Sequence, residues 1–278
     1  FKDNRYNIIL KARQLGISTL SAGYSLWMML FQQDKNILVI ATGKETAKNL
    51  VTKVRVMYDN LPQWLKTNTE EINKLSLRFT NGSQIKAIAS NESAGRSEAL
   101  SLLIIDEAAF IDRIDTIWTA AQQTLSTGGG CIALSTPNGV GNWFHKQWLG
   151  AEERTNQFNT IRLHWTDHPD RDQVWRDEQD KVLGPTQAAQ ECDTDFLSSG
   201  QSVVDPAILQ WYKDEMIEAP VEEVGIDRGM WVWRQPDYTK EYMVVADVAR
   251  GDGSDFSACQ VFEVEDMEQC AEYKGQLS

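Results

Sequence analysis

Residues 7–19 read Asn-Ile-Ile-Leu-Lys-Ala-Arg-Gln-Leu-Gly-Ile-Ser-Thr, and the fold follows from them. Asn7–Lys11 is a short apolar run that passes into a loop, after which Ser18 or Thr19 starts a helix reaching Phe31. Asn36–Ala41 reads as a buried strand, and from Gly43 to about Asn60 the residues Ala47, Leu50, Val51, Val54 and Met57 share one helical stripe. This spacing predicts a βαβ unit. Leu75–Thr80 and Ser83–Ala89 flank Asn81-Gly82, a strong hairpin signal, so the sheet is expected to be mixed. Ser101–Asp106 predicts a further buried strand, Asp112–Thr124 a helix, and Cys131–Thr136, after three glycines, another strand. Strands alternating with helices imply an α/β sheet.

The chain has 278 residues, a length at which one core is close to its limit, so one or two domains are expected. With 42% hydrophobic and 24% charged residues it is neither disordered nor fibrous. Its net charge of -13 is unevenly spread: residues 1–150 carry 16 Lys+Arg against 12 Asp+Glu, and residues 151–278 carry 11 against 28. Such asymmetry suggests different tasks for the two parts, or a solvated acidic face. Cys131, Cys192, Cys259 and Cys270 form no CxxC pair, which argues against a zinc cage or a disulfide framework. No apolar run reaches the roughly 18–20 residues of a membrane span. The start at Phe1 points to a fragment.

The second part changes character. Gln157–Trp165 reads as a strand, Asp170–Leu183 as a charged helix stopped by Gly184-Pro185, and Asp205-Pro206 as a helix start. Ser198-Ser199-Gly200 is the linker candidate. Tyr242–Ala246 and Phe256–Val264 are β-rich and straddle Arg250-Gly251-Asp252-Gly253, which predicts a new antiparallel sheet.

Three places along the first sheet can carry chemistry. The turn Lys11–Thr19 joins a strand to a helix, where backbone N–H groups and the helix dipole attract phosphate. It departs from G-x-x-x-x-G-K-[ST], because Ile17 follows the glycine and the local lysine is Lys11. The alternative is a plain connection in which Gly16 serves backbone geometry and Lys11 and Arg13 are solvated. Second, Leu102–Glu107 ends a buried strand in two carboxylates: Asp106 can hold Mg²⁺ through water, and Glu107 can orient and deprotonate an attacking water. Third, Ser135-Thr136-Pro137-Asn138-Gly139 ends the next strand, as a γ-phosphate sensor or as a simple turn. Three polar edges on successive strands favour nucleotide chemistry.

KARQLGIST, LLIIDEAAFI and ALSTPNG, in this order and spacing, resemble the phosphate loop, Asp-Glu strand and coupling motif of the large terminase subunit, the DNA-packaging motor of tailed bacteriophages. That family often moves the phosphate-loop lysine to the front, as Lys11 and Ile17 have it. The resemblance implies a P-loop NTPase (RecA/ASCE-like) sheet flanked by helices in residues 1–200. In residues 201–278 it implies a linker and the first strands of an RNase H-like nuclease. It implies ATP with Mg²⁺, nucleotide binding by Lys11, Gln14, Gly16, Ser18 and Thr19, metal contacts from Ser18 and Asp106, and Glu107 as catalytic base. Arg96 matches an arginine that reaches the neighbouring subunit's ATP, with Arg13 as its rival, and Ser135, Thr136 and Asn138 couple hydrolysis to movement.

Asp247 and Asp255 match the nuclease's metal acids, for Mg²⁺ or Mn²⁺. Its other acids fall beyond Ser278, so this chain is not expected to cut DNA. The family's adenine-gripping segment falls before Phe1 or involves Phe1–Tyr6. The implied partners are double-stranded DNA, the portal protein, the small terminase subunit and further copies in a ring, in the host cytoplasm and transiently on the procapsid.

Two other readings stay open. A superfamily 2 helicase also has Asp-Glu-Ala and a Ser/Thr motif on successive strands, but needs a second RecA-like domain. A non-catalytic assembly protein would use ATP only to order its ring. His164 and His168 are spaced as zinc ligands on a helix, but Pro169 and the absence of a Glu between them argue against a metal site. Most of the tryptophans, which include Trp143, Trp148, Trp165 and Trp175, are expected in packing, with stacking on a base the alternative for one of them.

Overall fold

The buried strand Leu102–Asp106 runs through the middle of an eight-stranded sheet, which is why it is apolar on both faces. The computed structural model describes residues 1–90, 99–125, 128–196, 208, 211–212, 215–225, 229–249 and 256–275. They fall into two compact units, 1–207 and 208–278. In the first, the strands are β1 (Tyr6–Lys11), β2 (Asn36–Ala41), β3 (Thr69–Ile72), β4 (Ser76–Phe79), β5 (Gln84–Ala89), β6 (Leu102–Asp106), β7 (Gly130–Ser135) and β8 (Phe158–Leu163). Their order across the sheet is β3-β4-β5-β2-β6-β7-β1-β8. From β5 to β8 all neighbours are parallel. β3, β4 and β5 pair antiparallel, so the mixed sheet and the Asn81-Gly82 hairpin are both present.

Period-two alternation sends successive residues of each central strand to two separate cores. Ile8, Leu10, Leu38, Ile40, Leu103, Ile105, Cys131 and Ala133 face one of them. It is covered by Ile114, Ile117, Trp118 and Ala121 of α3 (Ile114–Leu125) and by Trp143, Phe144 and Trp148 of α4 (Trp143–Glu152). Ile9, Ile37, Val39, Leu102, Ile104, Ile132 and Leu134 face the other. There they meet Ala22, Leu26 and Met29 of α1 (Ile17–Phe31) and Ala47, Leu50, Val51 and Val54 of α2 (Lys44–Asp59).

Helix α1 begins one residue before Ser18, capped by Gly16 in the left-handed conformation (φ 78) without a side-chain cap. The backbone turn of glycine, not a serine or threonine hydroxyl, therefore starts it. α3 begins two residues after Asp112. α5 (Gln173–Leu183) begins after Asp172, whose carboxylate accepts the Trp175 N–H. A short α6 (Pro185–Ala188) then passes into a π turn, Ala189–Asp193.

The second unit has β9 (Glu222–Val224), β10 (Met230–Val232), β11 (Tyr242–Asp247), β12 (Ser257–Glu263) and β13 (Gln269–Gly275), ordered β11-β12-β13-β10-β9. All pairs are antiparallel. This is unlike the parallel sheet that a second helicase domain requires. Among the described residues, no helix is long and apolar enough to cross a membrane. Ser198-Ser199-Gly200, Asp205-Pro206 and the turn at 250–253 lie outside the described residues.

Candidate functional site

Strands β6, β7 and β1 are adjacent and parallel, so their carboxyl ends bring three separate sequence stretches to one edge. Lys11, the last residue of β1, is 5% exposed, and its Nζ lies 3.1 Å from Oε1 of Glu107. Glu107 leaves β6 in the left-handed region (φ 55, ψ 45), a conformation costly for a residue with a side chain. The turn sets the carboxylate against Lys11. Asp106, 6% exposed, accepts the Glu107 N–H at 3.1 Å and the hydroxyl hydrogen bond of Ser18. Burial pushes the pKa of Asp106 above the ordinary carboxylate value, and the negative Glu107 adds to that. Lys11, the Ser18 hydroxyl and the Glu107 N–H pull it back.

The loop between β1 and α1 contains a second left-handed residue, Gln14 (φ 60), besides Gly16. At Gly16 a Cβ would meet no atom within 4 Å, so glycine is favoured there by conformation, not by space. No acidic residue occupies the first turn of α1, so the helix's own sequence puts no negative charge at the positive end of its dipole. Thr19 is exposed, whereas Ser18 is the hydroxyl that meets Asp106.

The end of β7 and the residues after it hold the turn that carries Glu107. Ser135 Oγ accepts the Ala109 N–H at 3.1 Å, and Asn138 Nδ2 donates to the Ala109 carbonyl at 3.1 Å. Thr136 beside them is buried. Gln190, on the π turn, donates to the Pro137 carbonyl at 3.2 Å and to Asn138 Oδ1 at 3.4 Å. Its neighbour Glu191 forms an ion pair with Arg13 at 3.2 Å and accepts the Arg13 N–H at 2.7 Å through its carbonyl.

Lys11, Gln14, Gly16, Ser18, Asp106, Glu107, Ser135, Thr136 and Asn138 thus gather on or beside one edge. Arg13 turns to Glu191, Asp247 is an exposed strand end in the second unit, and Arg96 and Asp255 lie outside the described residues. The structure adds Gln190, Glu191 and Arg171, which sequence reasoning missed: they arrive through packing across 52, 178 and 158 residues, and no local pattern marks them. His164 caps a short turn with its own ring, and no group of three His, Cys, Asp or Glu suited to a metal occurs among the described residues.

Residues 8–205 match the family described as terminase large subunit, T4likevirus-type, N-terminal. This chain belongs to the large terminase subunit family. A probable terminase large subunit, gp28 of Escherichia phage Mu, is 33% identical over 101 residues, which are 36% of this terminase chain and 18% of the Mu protein. The large terminase ATPase domain of Thermus phage P74-26 superposes with a TM-score of 0.56 at 22% identity, over 69% of this chain and 89% of that one. The large terminase of a thermophilic bacteriophage, solved in complex with ATP-gamma-S, superposes with a TM-score of 0.55 at 13% identity, over 99% of this chain and 64% of that one. The terminase chain thus has the fold of large terminase ATPase domains, and its match spans less than a fifth of the Mu protein's length.

Proposed function

We propose that this terminase chain hydrolyses ATP at the β1–β6–β7 edge to drive viral double-stranded DNA into a procapsid. The observation that carries the reading is Lys11 within 3.1 Å of Glu107, beside the buried Asp106 and the Ser18 hydroxyl. A phosphate-binding cation, a base and two oxygen donors stand together at the mouth of a helix N-terminus. The ADP and ATP-gamma-S complexes of the thermophilic bacteriophage's large terminase fit the same reading.

The pair Asp106 and Ser18 suits Mg²⁺, a hard cation that takes one or two protein oxygens and fills its shell with water and phosphate oxygens. When bound, Mg²⁺ would neutralise charge on the phosphates. Lys11 exchanges Glu107 for phosphate oxygens as ATP enters, which frees the Glu107 carboxylate. Glu107 then takes a proton from the attacking water as its oxygen bonds to the γ-phosphorus and the bond to the ADP oxygen breaks. Ser135 and Asn138, fixed to Ala109 two residues beyond Glu107, pass any shift of that turn to the segment after β7. Arg96 supplies the positive charge from a neighbouring subunit.

The same reading assigns residues 1–200 to the motor and 201–278 to a linker and the opening strands of an RNase H-like nuclease. Asp247 and Asp255 would there help hold Mg²⁺ or Mn²⁺ as two of the acids of a site that cuts concatemeric DNA. Its partners would be the portal protein, the small terminase subunit and further copies in a ring, acting in the host cytoplasm and transiently on the procapsid.

Glu107→Gln tests the mechanism. It is expected to lower steady-state ATP hydrolysis by about 10²–10⁴-fold, the usual contribution of a general base, while leaving nucleotide affinity intact. Unchanged turnover in this variant would exclude Glu107 as the base.

A further inference from the structure

The loop that carries Lys11 to Gly16 is gripped on its outer side by a segment over 150 residues away. The Ala12 N–H donates to the Leu163 carbonyl at 2.8 Å and the Arg13 N–H to the Glu191 carbonyl at 2.7 Å. Leu15 packs into a small apolar cluster with Ala12, Trp165, Trp175 and Cys192. Over this cluster lies Arg171, its guanidinium 4.3 Å from the centre of the Trp175 ring. Nη1 of Arg171 donates to the Arg13 carbonyl at 3.0 Å, and Nη2 donates to the Gln14 carbonyl at 3.5 Å. One fork thus spans two consecutive carbonyls, at the point where Gln14 adopts its left-handed conformation (φ 60).

In a trans peptide the carbonyl and the following N–H point in opposite directions. Holding the carbonyls of Arg13 and Gln14 therefore turns the N–H groups of Gln14 and Leu15 away from Arg171. Neither N–H has a protein acceptor among the described residues. Successive N–H groups turned to one side make an anion cradle. Left alone, a loop with a left-handed glutamine would have cheaper conformations.

We propose that Arg171 is a positioning residue of the ATP site: by binding the two outward carbonyls it holds the phosphate loop in the shape that receives phosphate. The proposal rests on reading residues 11–19 as the ATP phosphate site. Arg171 acts through the loop, and the stack on Trp175 fixes its plane. Arginine is required because a lysine ammonium carries the same charge but cannot present two parallel donors from a rigid stacked plane.

The test is a titration of the full-length protein with a fluorescent ATP analogue, alongside steady-state hydrolysis. Arg171→Ala is expected to raise Kd and KM about tenfold, with kcat within about twofold of wild type, because preorganisation of the loop is lost while Lys11, Asp106 and Glu107 stay in place. Arg171→Lys is expected to behave like Arg171→Ala. Full recovery of Kd by the lysine variant would overturn the proposal in favour of simple attraction between positive charge and ATP, and so would an unchanged Kd in the alanine variant. A fall in kcat with Kd constant would overturn it as well, by placing Arg171 in the chemical step. If the wild-type protein neither binds nor hydrolyses ATP, the ATP reading fails together with the proposal; that outcome is seen before any Arg171 variant is measured.

Discussion

Lys11 has one ammonium and two claimants. It is buried and paired with the partly exposed Glu107, and the phosphates of ATP would compete for the same nitrogen. Exchange is feasible because Glu107, with a third of its side chain exposed, regains water when the lysine leaves. Lys11→Ala is expected to weaken nucleotide binding about 10- to 100-fold, in line with roughly 1.5–3 kcal/mol for a hydrogen bond between charged groups. Titration with a nucleotide analogue checks this, and affinity equal to wild type would show that phosphate is held without the displaced lysine. The meeting of Lys11, Asp106 and Glu107 at one sheet edge was legible in the sequence for a physical reason. Lys11 and Asp106 each close an apolar run at the end of a strand and Glu107 follows directly, and a parallel sheet places such residues at its carboxyl edge. The left-handed backbone of Glu107 was not legible, since Asp-Glu-Ala-Ala has no glycine to announce a tight turn.

The elements around the site differ in how openly their sequences declare them. The Asn81-Gly82 hairpin, the central strands and α2 follow from local chemistry and periodicity, and all are present with bounds within one residue of those expected. The π turn Ala189–Asp193 has no such signature. Arg176 of α5 ties it down: Nε and Nη2 bind the two oxygens of Asp193 at 2.7 and 2.6 Å, and Nη1 binds Asp180 at 2.6 Å. These carboxylates hold the Arg176 guanidinium well above its ordinary pKa, with Asp193 the larger cause, so it stays charged throughout the working pH range. The fork fixes Cys192, Glu191 and Gln190, and through them Arg13 and the segment after β7. Arg176→Met is expected to destabilise the chain by about 1–3 kcal/mol in urea unfolding, because it leaves Asp193 and Asp180 without a partner although both retain some access to water. A double variant that also carries Asp193→Leu is expected to recover part of that loss, since only Asp180, the more exposed of the two carboxylates, is then left unpaired.

At the scale of the whole molecule, the acidity divides differently from a cut at residue 150. Residues 1–207, the first unit, carry 21 Lys+Arg against 24 Asp+Glu, and residues 208–278 carry 6 against 16. Within the first unit, Asp180 of α5 and Asp193 of the π turn pair with Arg176, and Glu191 of the π turn pairs with Arg13. This pairing bears on which arginine completes a neighbour's site in a ring. An arginine acting in trans must leave its own subunit, whereas Arg13 is bound by the Glu191 side chain and its backbone is held by Arg171 and the Glu191 carbonyl. Arg96 is therefore the better candidate for the trans role. Arg96→Ala is expected to lower turnover by ~10³–10⁵, the range for an arginine finger. Mixing Arg96→Ala subunits with Glu107→Gln subunits is then expected to restore ATPase activity above that of either variant alone. In such a mixture an Arg96→Ala subunit keeps its own Glu107 and can receive Arg96 from a Glu107→Gln neighbour, so some sites are complete. An arginine acting in cis permits no complete site in any mixture, and the absence of recovery would return the role to a residue of the same subunit.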